Sequence, residues 1–252
     1  MAKIYLVNVG ANVSHESQAR SPRFANGRFV YVSFPDEACR RRYAPEARRF
    51  VRDPDQMRTH IDPDWDHLTY GDACANPRAR ALLSVEPSDI LLFWALLWQV
   101  TDEQADVWAS TEKGWYLIGA LRVDFILESG QMITRLPNSV QRRVVHNEHM
   151  RGRRVESRTH VRVFIGSPKY SARFALPVDL GIYKNYGLLR KTVRTANGEK
   201  VQWDRSPRWN SVTRTCRAVL DLSVAAELRR AEIINRSVQM FNPKCDFLRD
   251  VQ

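Results

Sequence analysis

Asp66, His67 and Asp72 lie close together in this 252-residue chain, with Tyr70 between them. A carboxylate beside an imidazole fixes the ring's tautomer and orientation, which is what general acid–base chemistry requires. These three residues are the candidate catalytic set. The competing reading is loop chemistry, because Asp residues cap helices and close turns without any further role. Asn12, Ser14 and His15 follow the first apolar segment, where a loop leaving a strand can offer hydrogen bonds to a base edge or a sugar. Tyr70 joins them as a binding candidate.

His146 and His149 are spaced i, i+3 and would share a face of a helix. Such a pair can hold a metal, with His67 or Asp72 as a third ligand. Arg142, Arg143, Arg151, Arg153 and Arg154 flank them, however, and a positive field opposes a cation. The pair therefore reads as base or phosphate contacts, the five arginines as phosphate contacts, and no metal or cofactor is expected. Among the aromatics, Trp65 and Trp98 stand near polar loops or strand ends and are candidates for stacking on a base. Trp94, inside the run Ile90 to Val100, reads as core.

Lys and Arg total 39 against 28 Asp and Glu, a formal charge of +11. Arg binds phosphate bidentately and stacks on bases, so a clustered Arg surplus favours a nucleic-acid partner, and DNA first. No apolar run reaches the ~18 residues that span a bilayer, and the amino terminus has no signal-peptide pattern; a cytoplasmic protein without a membrane partner is expected. Cys39, Cys74, Cys216 and Cys245 form no CxxC pair and read as ordinary reduced thiols. The phosphate loop, the dinucleotide fingerprint, the nucleophile elbow and the zinc-deaminase signature are all missing.

The elements that must position these residues are mostly strands. Lys3 to Val9, Phe29 to Phe34, Ile90 to Ala95, Trp115 to Leu127 and Thr159 to Ile165 are β-branched, aromatic and apolar, and read as strands. Gly119 inside the fourth marks a bulge or a close approach. Asp53 to Asp72 is broken by Asp-Pro pairs and reads as a loop. Helices are expected at 76–83 and over 211–237, strongest at 225–234, with a basic helix or loop at 140–154. The fold class is α+β, a small mixed or antiparallel barrel or sheet with helical and loop elaborations, in one domain over 1–252.

Two resemblances sharpen this. Ser88-Asp89-Ile90 to Ala95, with Gly114-Trp115 to Val123, resembles the core of the PUA-like superfamily, which includes EVE and ASCH domains, over about 85–175. That resemblance implies a small barrel with a nucleobase held beside it. The segments Lys3 to His15, Ser21-Pro22-x-Phe24-x-x-Gly27-x-Phe29, Leu68 to Asp72, Asn147-x-His149-x-Arg151 and Gly166-Ser167-Pro168, with Arg173, resemble the third type of nucleotide modification associated domain. This implies a link with DNA base modification and defence, and adds Arg173 to the phosphate-contact set. Three functions follow as expectations: a DNA-binding protein that handles a modified base, an enzyme of nucleobase or nucleotide modification, and an RNA-binding PUA-like protein.

Overall fold

The structure, a computed structural model, describes residues 2–75, 79–128, 133–150 and 160–179, together with the strand segments 193–194 and 218–220. Nine strands form one mixed sheet: β1 (Ile4–Asn8), β2 (Ser21–Phe24), β3 (Thr69–Ala73), β4 (Ile90–Val100), β5 (Lys113–Glu128), β6 (Val161–Gly166), β7 (Ala172–Asp179), β8 (Val193–Arg194) and β9 (Ala218–Leu220). Among the described residues there are also two short α-helices, α1 (Pro45–Arg48) and α2 (Asn138–Val144), and four short 3-10 helices.

The long strands β4 and β5 are the spine. Ten of the eleven residues of β4 are buried, which is why its sequence is a continuous apolar run rather than an alternation. One edge of β4 pairs antiparallel with β5 along most of its length. Its other edge is shared, with β1 parallel to Ile90–Trp94 and β2 parallel to Leu97–Val100. The far edge of β5 is divided in the same way, between β7 at Tyr116–Ala120 and β6 at Val123–Glu128. The linear order runs β3-β6-β5-β4-β1-β9-β8, with β2 and β7 off the path. The sheet is open, so of the two expected forms the barrel is corrected. Each long strand spreads its partners over separate halves, and among the described residues no pairing joins β3 to β8 to close a ring.

Glycine at position 119 is required by close packing. A Cβ there would lie 2.2 Å from Cη2 of Trp65 and 2.8 Å from the Ala172 carbonyl oxygen. The register shifts at this point against both β4 and β7, so the expected irregularity is present. Trp65 packs edge-on against Phe93, with ring centroids 5.3 Å apart. Partly buried itself, it packs against the core cluster that contains Tyr5, Val7, Leu91 and Ile118.

Three sequence expectations need correction. Phe29 to Phe34 is extended but forms no ladder: its contacts are single bonds, such as Ala11 N–H to the Val32 carbonyl and Val30 N–H to the Pro22 carbonyl. Thr69–Ala73, expected as loop, is a strand antiparallel to β6, so Tyr70 and Asp72 stand on rigid backbone. Of the helix expected over 211–237, Ala218–Leu220 is instead strand β9, paired antiparallel with β1, and the rest lies outside the described residues. Trp203, Trp209 and the basic segments 184–191 and 205–209 lie outside them too. Among the described residues no helix is long and apolar enough to cross a membrane.

Gly119→Val is expected to lower unfolding stability by about 1–3 kcal/mol through overpacking, measured by urea denaturation, whereas Trp65→Phe with Gly119→Val should recover part of the loss.

Candidate functional site: an imidazole and carboxylate cavity

A cavity of about 390 Å³ opens at the carboxyl end of β1. Asn8, Val9 and Gly10 form its floor, and Asn12, His15, Phe34, Asp36, His60, Asp62, Tyr70, Gly71, Asp72 and His149 complete the lining. Five of the residues singled out from sequence therefore meet here: Asn12, His15, Tyr70, Asp72 and His149. No Lys or Arg belongs to this lining among the described residues.

Local bonds explain why these side chains converge. Gly10 turns the chain out of β1 with φ of +74°, and a Cβ there would lie 2.8 Å from the Tyr31 ring. The left-handed turn and the close ring both select glycine. The next turn is closed by Asn12, whose Oδ1 accepts from Ser14 N–H and Oγ–H, while His15 Nδ1 accepts the Asn12 amide at 3.3 Å. Ser14 is thus a bracing residue for Asn12. The segments around Phe34 and His60 are tied by the His60 amide to the Phe34 carbonyl at 3.1 Å and by the buried pair Ser33–Thr59. The rings of His15, Phe34 and His60 then stack in series, with centroid spacings of 5.6 and 5.0 Å.

On the opposite wall, Gly71 of β3 does two things. Its amide donates to both oxygens of the buried Asp62 carboxylate, at 3.0 and 2.9 Å. Its missing side chain admits His149, whose Cδ2 would be 2.5 Å from a Cβ. His149 is positioned from behind by buried Asn147, which accepts the His149 amide and donates to Thr69 Oγ1. The outcome is a triangle of side-chain atoms. His60 Nε2 lies 3.0 Å from His149 Nε2, and Asp62 Oδ2 lies 3.5 Å from the first and 3.2 Å from the second.

Burial alone would drive the proton off His60, but hydrogen bonds to Asp62 and Cys39, with the charge of Asp62, outweigh it and push its pKa up to about 10. Its Nδ1 faces Cys39 Sγ at 3.4 Å and Asp36 Oδ2 at 3.7 Å. Beside the triangle, the Tyr70 phenol donates to Asp72 Oδ2 at 2.8 Å, fixing a carboxylate at the cavity wall. Among the described residues, two groups could hold a metal ion: His60–Asp62–His149 and Asp36–Cys39–His60.

The other sequence candidates lie elsewhere. His67 is not beside Asp72: its Nδ1 bonds Asp64 Oδ2 at 2.9 Å, and its ring stacks on His146 at 4.0 Å. Asp66 is exposed on the same turn, which Asp64 closes by accepting the amides of Asp66 and His67. The turn at Glu148–Met150 follows α2 without continuing it, so His146 and His149 face different neighbours. Trp65 packs against the core, and buried Trp98 lies beneath Arg20 and Lys113, at 3.8 and 4.5 Å from its centroid. Arg143 donates to the carbonyls of His67, Leu68 and Gly166, so its guanidinium is engaged within the fold. Arg142 is exposed and Arg173 half-buried; Arg151, Arg153 and Arg154 lie outside the described residues.

Sequence reasoning missed His60, Asp62, Asp36 and Phe34. The available signal was the spacing His60-x-Asp62, because residues two apart in an extended segment project to the same side. Arg41 links Asp64 at 3.3 Å, Glu148 at 2.9 Å and the His146 carbonyl at 2.8 Å. It clamps the loop carrying Asp62 to the turn carrying His149.

Fold and site together define an α+β protein with a small cavity lined by acidic, imidazole and phenol groups. A profile of the nucleotide modification associated domain 3 family matches residues 3–223, and the chain belongs to that family. Comparison with curated proteins and with solved structures returns no match.

Arg143→Ala is expected to cost about 1–3 kcal/mol, because it removes the donor shared by three part-buried carbonyls, whereas Arg142→Ala should stay within about 0.5 kcal/mol of the parent; chemical denaturation of both variants checks this.

Proposed function

We propose that the protein is an enzyme of nucleotide modification that holds one nucleobase or nucleotide in the cavity at the end of β1. The observation that carries this reading is the meeting, in one hollow of about 390 Å³, of Asp62, Asp72, Tyr70, His60 and His149. That volume falls within the ~300–1,000 Å³ of small-ligand sites, which suits a single nucleotide and not a duplex. Positioned carboxylate and imidazole groups are the equipment of proton transfer at a base. Membership of the nucleotide modification associated domain 3 family links the chain to nucleotide modification.

Within this reading Asp72, oriented by the Tyr70 phenol, is the acid–base residue that faces the substrate. Asn8 and Asn12 supply donors and acceptors for a base edge, and the Phe34 wall supplies apolar surface. The formal charge of +11 favours DNA as the carrier of the base, extruded singly from the duplex. Phosphates are then held outside the cavity, since its described lining contains no Lys or Arg. The base-in-a-hollow part of the PUA-like expectation carries over to this site without the closed barrel. A place in defence against foreign DNA stays with the family resemblance.

One observation favours a second reading, a protein that recognises a modified base without altering it: three stacked rings, His15, Phe34 and His60, present an aromatic wall.

Nucleoside mass spectrometry of DNA and of nucleotide pools from cells expressing the protein separates the two. A new or depleted species is expected, with its formation slowed by about 10²–10⁴-fold in Asp72→Asn. Unaltered pools and DNA with the parent protein would contradict catalysis, and modification-dependent DNA binding by the same protein would then favour recognition.

A further inference from the structure

We infer that His60 Nε2, Asp62 Oδ2 and His149 Nε2 are the ligands of a divalent first-row transition metal. This goes beyond the acid–base reading and does not depend on what the cavity binds.

Hydrogen bonds alone do not satisfy this triangle. Three side-chain atoms lie 3.0, 3.2 and 3.5 Å from one another. Each imidazole Nε2 carries either one hydrogen or one lone pair. If both carry hydrogens, two N–H groups oppose each other across the 3.0 Å edge. If only His60 does, the His149 lone pair faces the Asp62 carboxylate oxygen across the 3.2 Å edge. If only His149 does, the His60 lone pair faces that same oxygen. With Asp62 ionised, as the Gly71 amide on both its oxygens favours, no assignment gives each of the three edges a donor and an acceptor. A single cation at the centre satisfies all three at once.

The dimensions match such a cation. With metal–ligand distances of about 2.1 Å, edges of 3.0, 3.2 and 3.5 Å subtend angles of about 91°, 99° and 113° at the metal. These lie between facial octahedral and tetrahedral values. Two imidazoles with one carboxylate suit iron(II), zinc, cobalt or manganese, and three ligands on one side leave the other positions open. All three ligands line the cavity, so the open positions face the space bounded by Tyr70 and Asp72. The surroundings have the features of a prepared metal site as well. The Gly71 amide fixes the carboxylate, Asp36 and Cys39 face the far nitrogen of His60, and the Asn147 side chain anchors the backbone of His149. The objection that neighbouring arginines repel a cation does not hold for Arg41 and Arg143. Arg41 is paired with Asp64 and Glu148, and Arg143 is bonded to carbonyls away from the triangle.

The test uses untagged full-length protein, stripped with chelator and titrated with cobalt(II) alone. One equivalent is expected by plasma mass spectrometry after desalting, with visible ligand-field bands. His149→Gln and His60→Gln should each weaken binding at least tenfold, while His67→Gln and His146→Gln leave it unchanged. Circular dichroism identifies any variant that fails to fold. For such a case, pulsed electron paramagnetic resonance of the copper(II)-loaded parent gives an independent reading, and two coordinated imidazoles are expected. Less than one tenth of an equivalent in the parent would overturn the inference. So would equal loss in the His67 and His146 variants, or a signal from no more than one imidazole. None of these readouts involves nucleotide, so failure here leaves the nucleotide reading standing, and the converse also holds.

Discussion

The Asp62 carboxylate is buried, takes the Gly71 amide on both oxygens and faces two imidazole nitrogens at 3.2 and 3.5 Å. A carboxylate removed from water is costly unless it is hydrogen-bonded and balanced by positive charge. Most of the local architecture serves that requirement. β3 supplies the amide, the absence of a side chain at Gly71 admits His149, and the Phe34 segment holds the His60 ring in a stack. Without a metal, a proton on His60 provides the positive charge, which is why its pKa is held at about 10 despite burial. A metal at the triangle would take over that role, with two imidazoles as neutral ligands.

The arginine surplus changes meaning once the chain is folded. Arg20 donates to the carbonyls of Glu16, Val107, Trp108 and Ser110, and Arg162 to those of Leu82, Leu83 and Val85. Arg41 and Arg143 do the same for the loops around the cavity. A planar guanidinium with five donors suits this bracing of irregular chain, where carbonyls lack ladder partners. These four arginines therefore serve the fold itself. Arg40, Arg42, Arg49, Arg52 and Arg142 are exposed.

The spine of the fold was legible in the sequence, because Ile90 to Val100 and Trp115 to Leu127 are long apolar runs that only buried strands explain. Short elements were not. Ser21–Phe24 contains a proline and pairs with β4 only at its far half, and Thr69–Ala73 carries Gly and Asp, which tertiary pairing with β6 overrides. At the site, Asn12, His15, Tyr70, Asp72 and His149 could be named because their types and surroundings invite chemistry. His60 and Asp62 sat in an Asp-Pro stretch that reads as turn-forming. Asp64, not Asp72, proved to be the carboxylate beside His67, since it can close the turn and reach the imidazole together. Contacts made across about 90 residues, such as His60 with His149, leave no local pattern to read.

The side chains of His60, Asp62 and His149 point at one place. Crystals of the full chain grown with cobalt(II), measured on either side of the cobalt absorption edge, locate the ion directly. One anomalous peak about 2.1 Å from His60 Nε2, Asp62 Oδ2 and His149 Nε2 is the predicted result. A well-ordered cavity with the two rings turned apart, or with cobalt bound only at other residues, would contradict it.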